Sequence, residues 1–410
     1  MKMAFSSRFA KTVFVACSFV VVDPARAELS PPQKQLKTYS LPEGTQSADI
    51  SPDEQWVVTV GTKKLDVAAS ENKAVVHVVR LWNFKEGKQV AEFAAQRSEV
   101  RAAPKGYVLD RSRTEPIVRF SPDGNVVIVL IDRMIHIVRA ADLTELRTIL
   151  LDTPANVTRT SPSGRTIIHE PFARAVELSP DGKVVAVVWI TDMIYGRIQL
   201  YDFASGNMTL ARDTPIGWLN FTKSIAWSPG GESLLVPIPN EMRCSSPNSQ
   251  PDIFAFDRQT GAIKNKISSG LLVGSIAVSS DGHVLAVDLN CIAVFKNHDA
   301  KLKVFDLATG KHLRNVSARG TGARYVVSAS ADGSRFLAYT GKMAVEFDWS
   351  DAVPYDKVVD ETFSVWSLAN YEGIVTSQNI HGLKESDLRL SSKGKFAVSY
   401  GTASFVYELP

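Results

Sequence analysis

Seven histidines are the first places to look for chemistry: His77, His136, His169, His283, His298, His312 and His381. A metal site needs ligands that converge on one ion, visible in sequence as H-x-H, H-E-x-x-H or Cys and His at short spacing. None of these patterns occurs, nor does a haem-binding C-x-x-C-H, a G-x-S-x-G nucleophile turn or a phosphate-binding glycine loop. His169 and Glu170 are the one suggestive pair of neighbours, and a solvated loop pair is expected of them. Asp202, Asp257, Asp306 and Asp348 recur just before tight turns, while Asp123, Asp181, Asp281 and Asp332 recur inside another turn. A carboxylate so placed accepts hydrogen bonds from the amides of its own turn. Turn capping, not acid–base work, is therefore expected of all eight. No catalytic residue, cofactor ligand or metal ligand is assigned, and the balance is against an enzyme.

Those aspartates belong to a repeat. "FSPDGNVVIVL" starts at Phe120, "LSPDGKVVAVVW" at Leu178, "WSPGGESLLVP" at Trp227, "VSSDGHVLAVD" at Val278 and "ASADGSRFLAY" at Ala329. Weaker copies are "ISPDEQWVVTV" from Ile50 and "LSSKGKFAVSY" from Leu390. In each, an apolar residue leads into a turn whose Pro presets φ and whose Gly accepts φ > 0. An apolar strand follows. Further on come "LWNFKEGK" from Leu81, "LYDFASGN" from Leu200, "AFDRQTGA" from Ala255 and "VFDLATGK" from Val304, with degenerate copies "EFDWSDA" from Glu346 and "VYELP" from Val406. One unit is thus strand a, an S-P-D-G turn, strand b, a loop, strand c, a D-x-x-x-G turn and strand d.

The first serine of each turn falls at 51, 121, 179, 228, 279, 330 and 391. Four strands at a period near 40–50 residues mark β-propeller blades. The expected fold is all-β: a seven-bladed propeller of four-stranded antiparallel blades. "TSPSGRTIIHE" from Thr160 lies too close to the next turn to be a blade and is expected to be a hairpin inserted between blades. The last unit stops after strand c, while an orphan strand, Lys37 to Leu41, precedes blade one. A ring left open would expose unpaired backbone groups. Lys37 to Leu41 should therefore pair with Phe405 to Glu408 and close it. With these motifs, residues 35–410 resemble the WD40-like and YVTN-type β-propeller superfamily in its exported bacterial form. That resemblance implies the fold. It leaves activity open, because such propellers serve as scaffolds, lactonases and dehydrogenase subunits.

Residues 1–27 read as a cleaved secretory signal peptide, leaving a single propeller domain over 28–410. Lys2, Arg8 and Lys11 precede an apolar run, Thr12 to Val22, too short to span a bilayer, and "ARA" ends at Ala27. That segment carries four positive charges against Asp23, a net of +3 that equals the whole chain's +3, so the mature protein is neutral. A periplasmic or secreted location follows, with no nucleic acid as partner, no remaining membrane span and a monomeric state. Two of the three cysteines remain after cleavage, and Cys244 and Cys291 follow strand b in adjacent blades. A disulfide between them and two buried thiols are both open.

The a–b and c–d turns share one face of the ring, and the b–c and d–a connections share the other. The second face holds the irregular material: Lys64–Ala74, the basic stretch from Ala94 to Glu115, the Arg159–His169 hairpin, "PIPNEMRCSSPNSQ" and Phe363–Gly382. Loops that escape a repeat are where binding usually resides. Arg101, Arg111, Arg165, Trp218 and Trp366 are the partner-binding candidates, the two tryptophans being placed in d–a segments. The other tryptophans are expected in blade packing. The leading function is a non-catalytic binding or scaffold propeller, with a periplasmic protein or complex as its partner and no cofactor. Two alternatives stay open: a lactonase- or hydrolase-like enzyme with its site in the central channel, and a non-catalytic subunit of a periplasmic redox complex.

Overall fold

The computed structural model describes residues 34–64, 75–95, 108–110, 115–160, 166–191, 195–214, 225–238, 252–269, 273–288, 299–321, 324–348, 353–378, 388–401 and 404–410. Seven four-stranded antiparallel sheets follow one another, each with an S-P-D-G-type turn between its first two strands. Blade one is Thr45–Ile50, Val57–Lys64, Val75–Asn83 and Lys88–Ala95. Blade two is Ile117–Phe120, Val126–Ile131, Met134–Arg139 and Glu145–Leu150. Blade three is Phe172–Leu178, Val184–Ile190, Gly196–Asp202 and Met208–Thr214. Blades four and five begin at Ala226 and Val273 and end at Ser268 and Thr321. Blade six is Arg324–Ala329, Arg335–Asp348, Val353–Ser367 and Gly373–Gln378. Blade seven takes Leu388–Leu390, Phe396–Ser399 and Phe405–Glu408 from the end of the chain and Lys37–Ser40 from its start.

The closing strand pairs as expected. Lys37 lies opposite Glu408 and Ser40 opposite Phe405, antiparallel throughout. The Tyr39 hydroxyl donates to Glu408 Oε2 at 2.7 Å. Propeller geometry explains the sequence pattern of the strands. Strand b is covered on both sides by neighbouring blades, so all of Val184–Ile190 is buried. Strand d is the outer edge, so most of Lys88–Ala95 is exposed. Strands a converge on the centre, where neighbouring copies touch. Seven apolar clusters fill the seven gaps between blades. The cluster of Ile50, Val57, Phe84, Phe396, Val398 and Val406 joins blade seven to blade one, and the ring is complete. At roughly 1.5–3 kcal/mol per buried aliphatic or aromatic side chain, these clusters dominate the favourable side of folding.

Seven of the eight aspartates cap their turns as expected; the eighth, Asp348, instead ends strand b of blade six. Ser179 Oγ donates to Asp181 Oδ1 and accepts from the Val184 amide at 2.9 Å. Asp202 accepts from the Ser205 amide and hydroxyl at 2.7 Å each. Several of the turn glycines abut the preceding blade. Gly310 has φ +69, and a Cβ there would lie 3.2 Å from the carbonyl oxygen of Lys266 in blade four. Three turns place another residue at this left-handed position: Glu54 at φ 62, Leu143 at 55 and Tyr371 at 60. Such φ values are uncommon for non-glycine residues. Each of these side chains reaches the preceding blade. Leu143 enters the cluster shared with Val58 and Val79 of blade one, and Tyr371 bonds to His283 of blade five.

Two expectations need correction. Strand c of blade six is Val353–Ser367, not the stretch from Glu346, which ends strand b: Asp348 pairs with Val353 across a long hairpin. The turn that closes blade six is "WSLANYEG", where Tyr371 occupies the glycine position and donates its amide to Ser367 O at 2.9 Å. Phe363–Gln378 is therefore strand, turn and strand, not irregular connection. The inserted hairpin is present as Val157–Thr160 paired with Thr166–His169. Beyond expectation, Val108–Asp110 from the connection between blades one and two joins it in parallel and makes an eighth, three-stranded sheet.

Candidate functional site

Strand a has an inner edge with no fifth strand to pair with, so its amides at the channel need other acceptors. Side chains of the preceding blade supply them. Asp49 Oδ2 accepts from the Phe120 amide at 2.8 Å, and Ser328 Oγ accepts from the Leu390 amide at 3.0 Å. Ser47 and Ser275 do the same one pleat earlier, for Val118 and Val327 at 3.2 Å each.

Asp49 and Ser328 both stand two residues before the first serine of their turns. Around the ring that position reads Asp49, Arg119, Glu177, Ala226, Ala277, Ser328 and Arg389. Blades seven, one, two and three thus carry charge, while blades four to six carry small residues. The four charged side chains meet. Arg389 Nη1 donates to Glu177 Oε1 at 2.8 Å, linking blades seven and three, and Arg389 Nε lies 3.6 Å from Asp49 Oδ1. Arg119 Nε donates to the same Glu177 oxygen at 3.1 Å, and its Nη1 donates to Val118 O at 2.8 Å. Arg119 is buried, whereas the side chains of Glu177 and Arg389 keep 22% and 28% of their exposure.

The network is neutral overall: two carboxylates against two guanidiniums. Burial would raise the Glu177 carboxyl, but Arg389 and Arg119 outweigh it and hold the carboxyl below the ordinary carboxylate range. At Asp49 burial wins over the same two cations, and the carboxyl is pushed up. Both guanidiniums are held charged, the carboxylates prevailing over burial. A paired, hydrogen-bonded group of this kind is poor in free nucleophile or base but well suited to bracing four blades across a channel.

A second group lies between blades five and six on the short-turn face. Tyr371 Oη and His283 Nδ1 are 2.9 Å apart, and the same nitrogen is 3.2 Å from Asp281 Oδ2. The Arg314 guanidinium stacks 4.5 Å above the Tyr371 ring. Burial, with Asp281 adding to it, raises the Tyr371 phenol. A further histidine–carboxylate contact joins His136 Nδ1 to Glu145 Oε1 at 2.6 Å. His169, expected to be a solvated loop residue, is buried at the end of its hairpin strand, with Glu170 half-buried beside it.

Arg101, Arg111, Arg165 and Trp218 lie outside the described residues, as do Cys244 and Cys291. Trp366 does not stand in a d–a segment. It sits on strand c of blade six, 4% exposed, with its indole stacked on Phe336 at 5.1 Å and 8° between planes. It faces the blade five–six interface and is withdrawn as a surface contact. Trp189 and Trp227 are buried in blade packing as expected. Among the described residues, no cluster of three or more His, Cys, Asp or Glu could hold a metal, and no helix is long and apolar enough to cross a membrane.

Sequence reasoning missed the channel network. Its members are separated by up to 340 residues, and each looks like an ordinary alternating strand residue. The signal was the register: position two before each turn serine, read down the repeat, alternates in charge through the first three blades.

No family of known sequences matches the chain, and no curated protein matches it either. Among solved structures, a chain of Kuenenia stuttgartiensis hydrazine synthase is similar, with a TM-score of 0.56 at 12% identity over 92% of this chain and 97% of that one. A likeness at this identity establishes the propeller fold and stops there.

Proposed function

We propose that the protein is an exported propeller of the WD40-like and YVTN-type kind that binds a partner protein and performs no catalysis of its own. One observation carries this: the eighth sheet. Val108–Asp110 and the hairpin Val157–His169 come from the two connections that flank blade two, yet they pair with each other outside the blades. Blade two itself needs nothing there, since Ile131 and Met134 already pair across a two-residue turn. Regular structure that closes no blade is a platform on the d–a face. Its flanking segments hold Arg97, Arg101, Lys105, Arg111, Arg113 and Arg165. A basic platform suits an acidic protein surface. Blade six adds a second projection on that face, a hairpin in which Lys342–Asp348 pairs with Val353–Val359.

The test is capture from periplasmic extract with chemical crosslinking, read by mass spectrometry, for the intact protein and two variants. Arg101→Ala/Arg111→Ala/Arg165→Ala should lose the captured partner, and Lys311→Ala/Arg314→Ala on the short-turn face should keep it. The reverse pattern with both variants folded overturns the assignment. A channel enzyme is the second possibility, favoured by the opposite displacement of the Asp49 and Glu177 carboxyls, a pattern that acid and base pairs also have. Hydrolysis of lactone or ester substrates, abolished by Glu177→Gln in folded protein, would select it. Hydrazine chemistry does not transfer on a likeness of 12% identity.

A further inference from the structure

Two departures from the repeat sit on either side of the seam that closes the ring. In the first turn, "SPDE", Glu54 stands where the other turns have glycine, at φ 62 and 4% exposed. In the seventh, "SSKG", Lys393 stands where five of the other turns have aspartate. In a regular turn that aspartate accepts from the turn serine and from the amide two residues on. Asp123 Oδ1, for example, accepts from Ser121 Oγ and from the Asn125 amide. Blade seven has no such carboxylate of its own. Glu54 Oε1 takes the place: it accepts from Ser391 Oγ at 2.6 Å, from the Lys393 amide at 3.0 Å and from the Lys395 amide at 3.4 Å. Ser392 Oγ adds a bond to Pro52 O at 2.7 Å across the same seam.

We infer that Glu54 is a closure latch, supplying from blade one the carboxylate that the inner turn of blade seven lacks, so that this turn is complete only when the ring is shut. The seam then has two fasteners at opposite edges of blade seven. The outer one is the Lys37–Ser40 strand, and the inner one is Glu54. A left-handed non-glycine residue is a backbone cost that persists where its side chain has work to do. Here the work is to accept from the buried Ser391 hydroxyl and from two amides of its turn. The latch also makes the last blade's inner turn report on ring closure, which a turn capped from within would not do.

The experiment is a four-way set on the full chain: wild type, Glu54→Gly, Lys393→Asp and the double variant. Thermal midpoints and hydrogen exchange over residues 391–396 are the readouts. Without a latch, Glu54→Gly relieves a left-handed residue and stabilises the protein. With the latch, it lowers the midpoint by several degrees and speeds exchange of 391–396 at least tenfold. Lys393→Asp in the wild-type background brings a second carboxylate onto Ser391 Oγ and also lowers the midpoint. In the Glu54→Gly background the same change restores a self-capped turn and recovers both readouts, a reversal of sign that only a shared site produces. If Glu54→Gly alone does not fold, recovery of folded protein by the double variant is the supporting result. A wild-type midpoint and exchange rate for Glu54→Gly, or equal loss from Lys393→Asp in both backgrounds, overturns the latch.

Discussion

At the scale of single residues, several side chains act on the neighbouring blade. Trp366 is the sharpest case. An exposed tryptophan would contribute to binding, but a buried one stacked on Phe336 contributes to the blade five–six interface. Trp366→Ala should cost about 3–5 kcal/mol in urea denaturation, the range for a large aromatic lost from a core. Arg389 poses a different question, because its loss leaves Glu177 and Asp49 facing the channel with one cation instead of two. Breaking a buried pair costs roughly 3–5 kcal/mol when the orphaned charge stays dry. With about a quarter of its side chain exposed, Arg389→Ala should fall below that range, near 2 kcal/mol. The double change Arg389→Ala/Glu177→Gln should be less damaging than Arg389→Ala alone, because it removes the uncompensated charge. A double variant as unstable as the sum of the singles would show that these groups do not act together.

At the scale of elements, the turn aspartates set the response to acid. Asp181 is held at about 2 against an ordinary 3.8; burial opposes this, and the bonds from Ser179 and Arg258 prevail. Asp123, Asp202, Asp306 and Asp332 are lowered as well, by serine or threonine hydroxyls and turn amides. A carboxyl depressed in the folded state stabilises above its unfolded value and loses that contribution as pH falls through the folded value. The contribution of these caps should therefore be constant above about pH 5 and should fall between about pH 4 and 2 as they protonate. Asp181→Asn should lower the midpoint at pH 7 and lessen its drop in acid, since one of the titrating caps is gone. A midpoint for Asp181→Asn that declines as steeply as wild type would remove the turns as the cause.

At the scale of the whole molecule, closure of the ring is the property that the other features serve. Seven apolar clusters each need two blades, so loss of one blade edge leaves its neighbour's cluster half-covered. Deleting residues 28–42 removes Lys37–Ser40 from blade seven, with Leu36 and Leu41 from the clusters on either side. The deletion should lower the thermal midpoint strongly and expose the Phe405–Glu408 edge to pairing with other chains, measurable as aggregation by light scattering. A deletion protein with a wild-type midpoint and no aggregation would mean that the strand decorates the ring without closing it.

Much of this architecture was legible in the chain because it is written locally and repeatedly. Ser, Pro, Asp and Gly specify a turn within four residues, continuous apolar runs mark the doubly covered strands b, and the spacing of turns counts the blades. The orphan strand could be placed because an unpaired edge has only one place to go. Blade six was misread because Tyr371 took the left-handed glycine's place, so its closing turn carried no turn signature, and Trp366 was misplaced with it. Local rules fail there because the left-handed position is held by contacts with blade five that no short window contains. The same reason hid the channel network and the Glu54 latch. Asp49, Arg119, Glu177 and Arg389 are neighbours only because the inner strands converge on one axis, and Glu54 meets Ser391 only because the ring returns to its start. Sequence determines the blades through turn chemistry and burial pattern. Only tertiary structure decides which charges pair, because that depends on where the curve of the ring brings distant strands together.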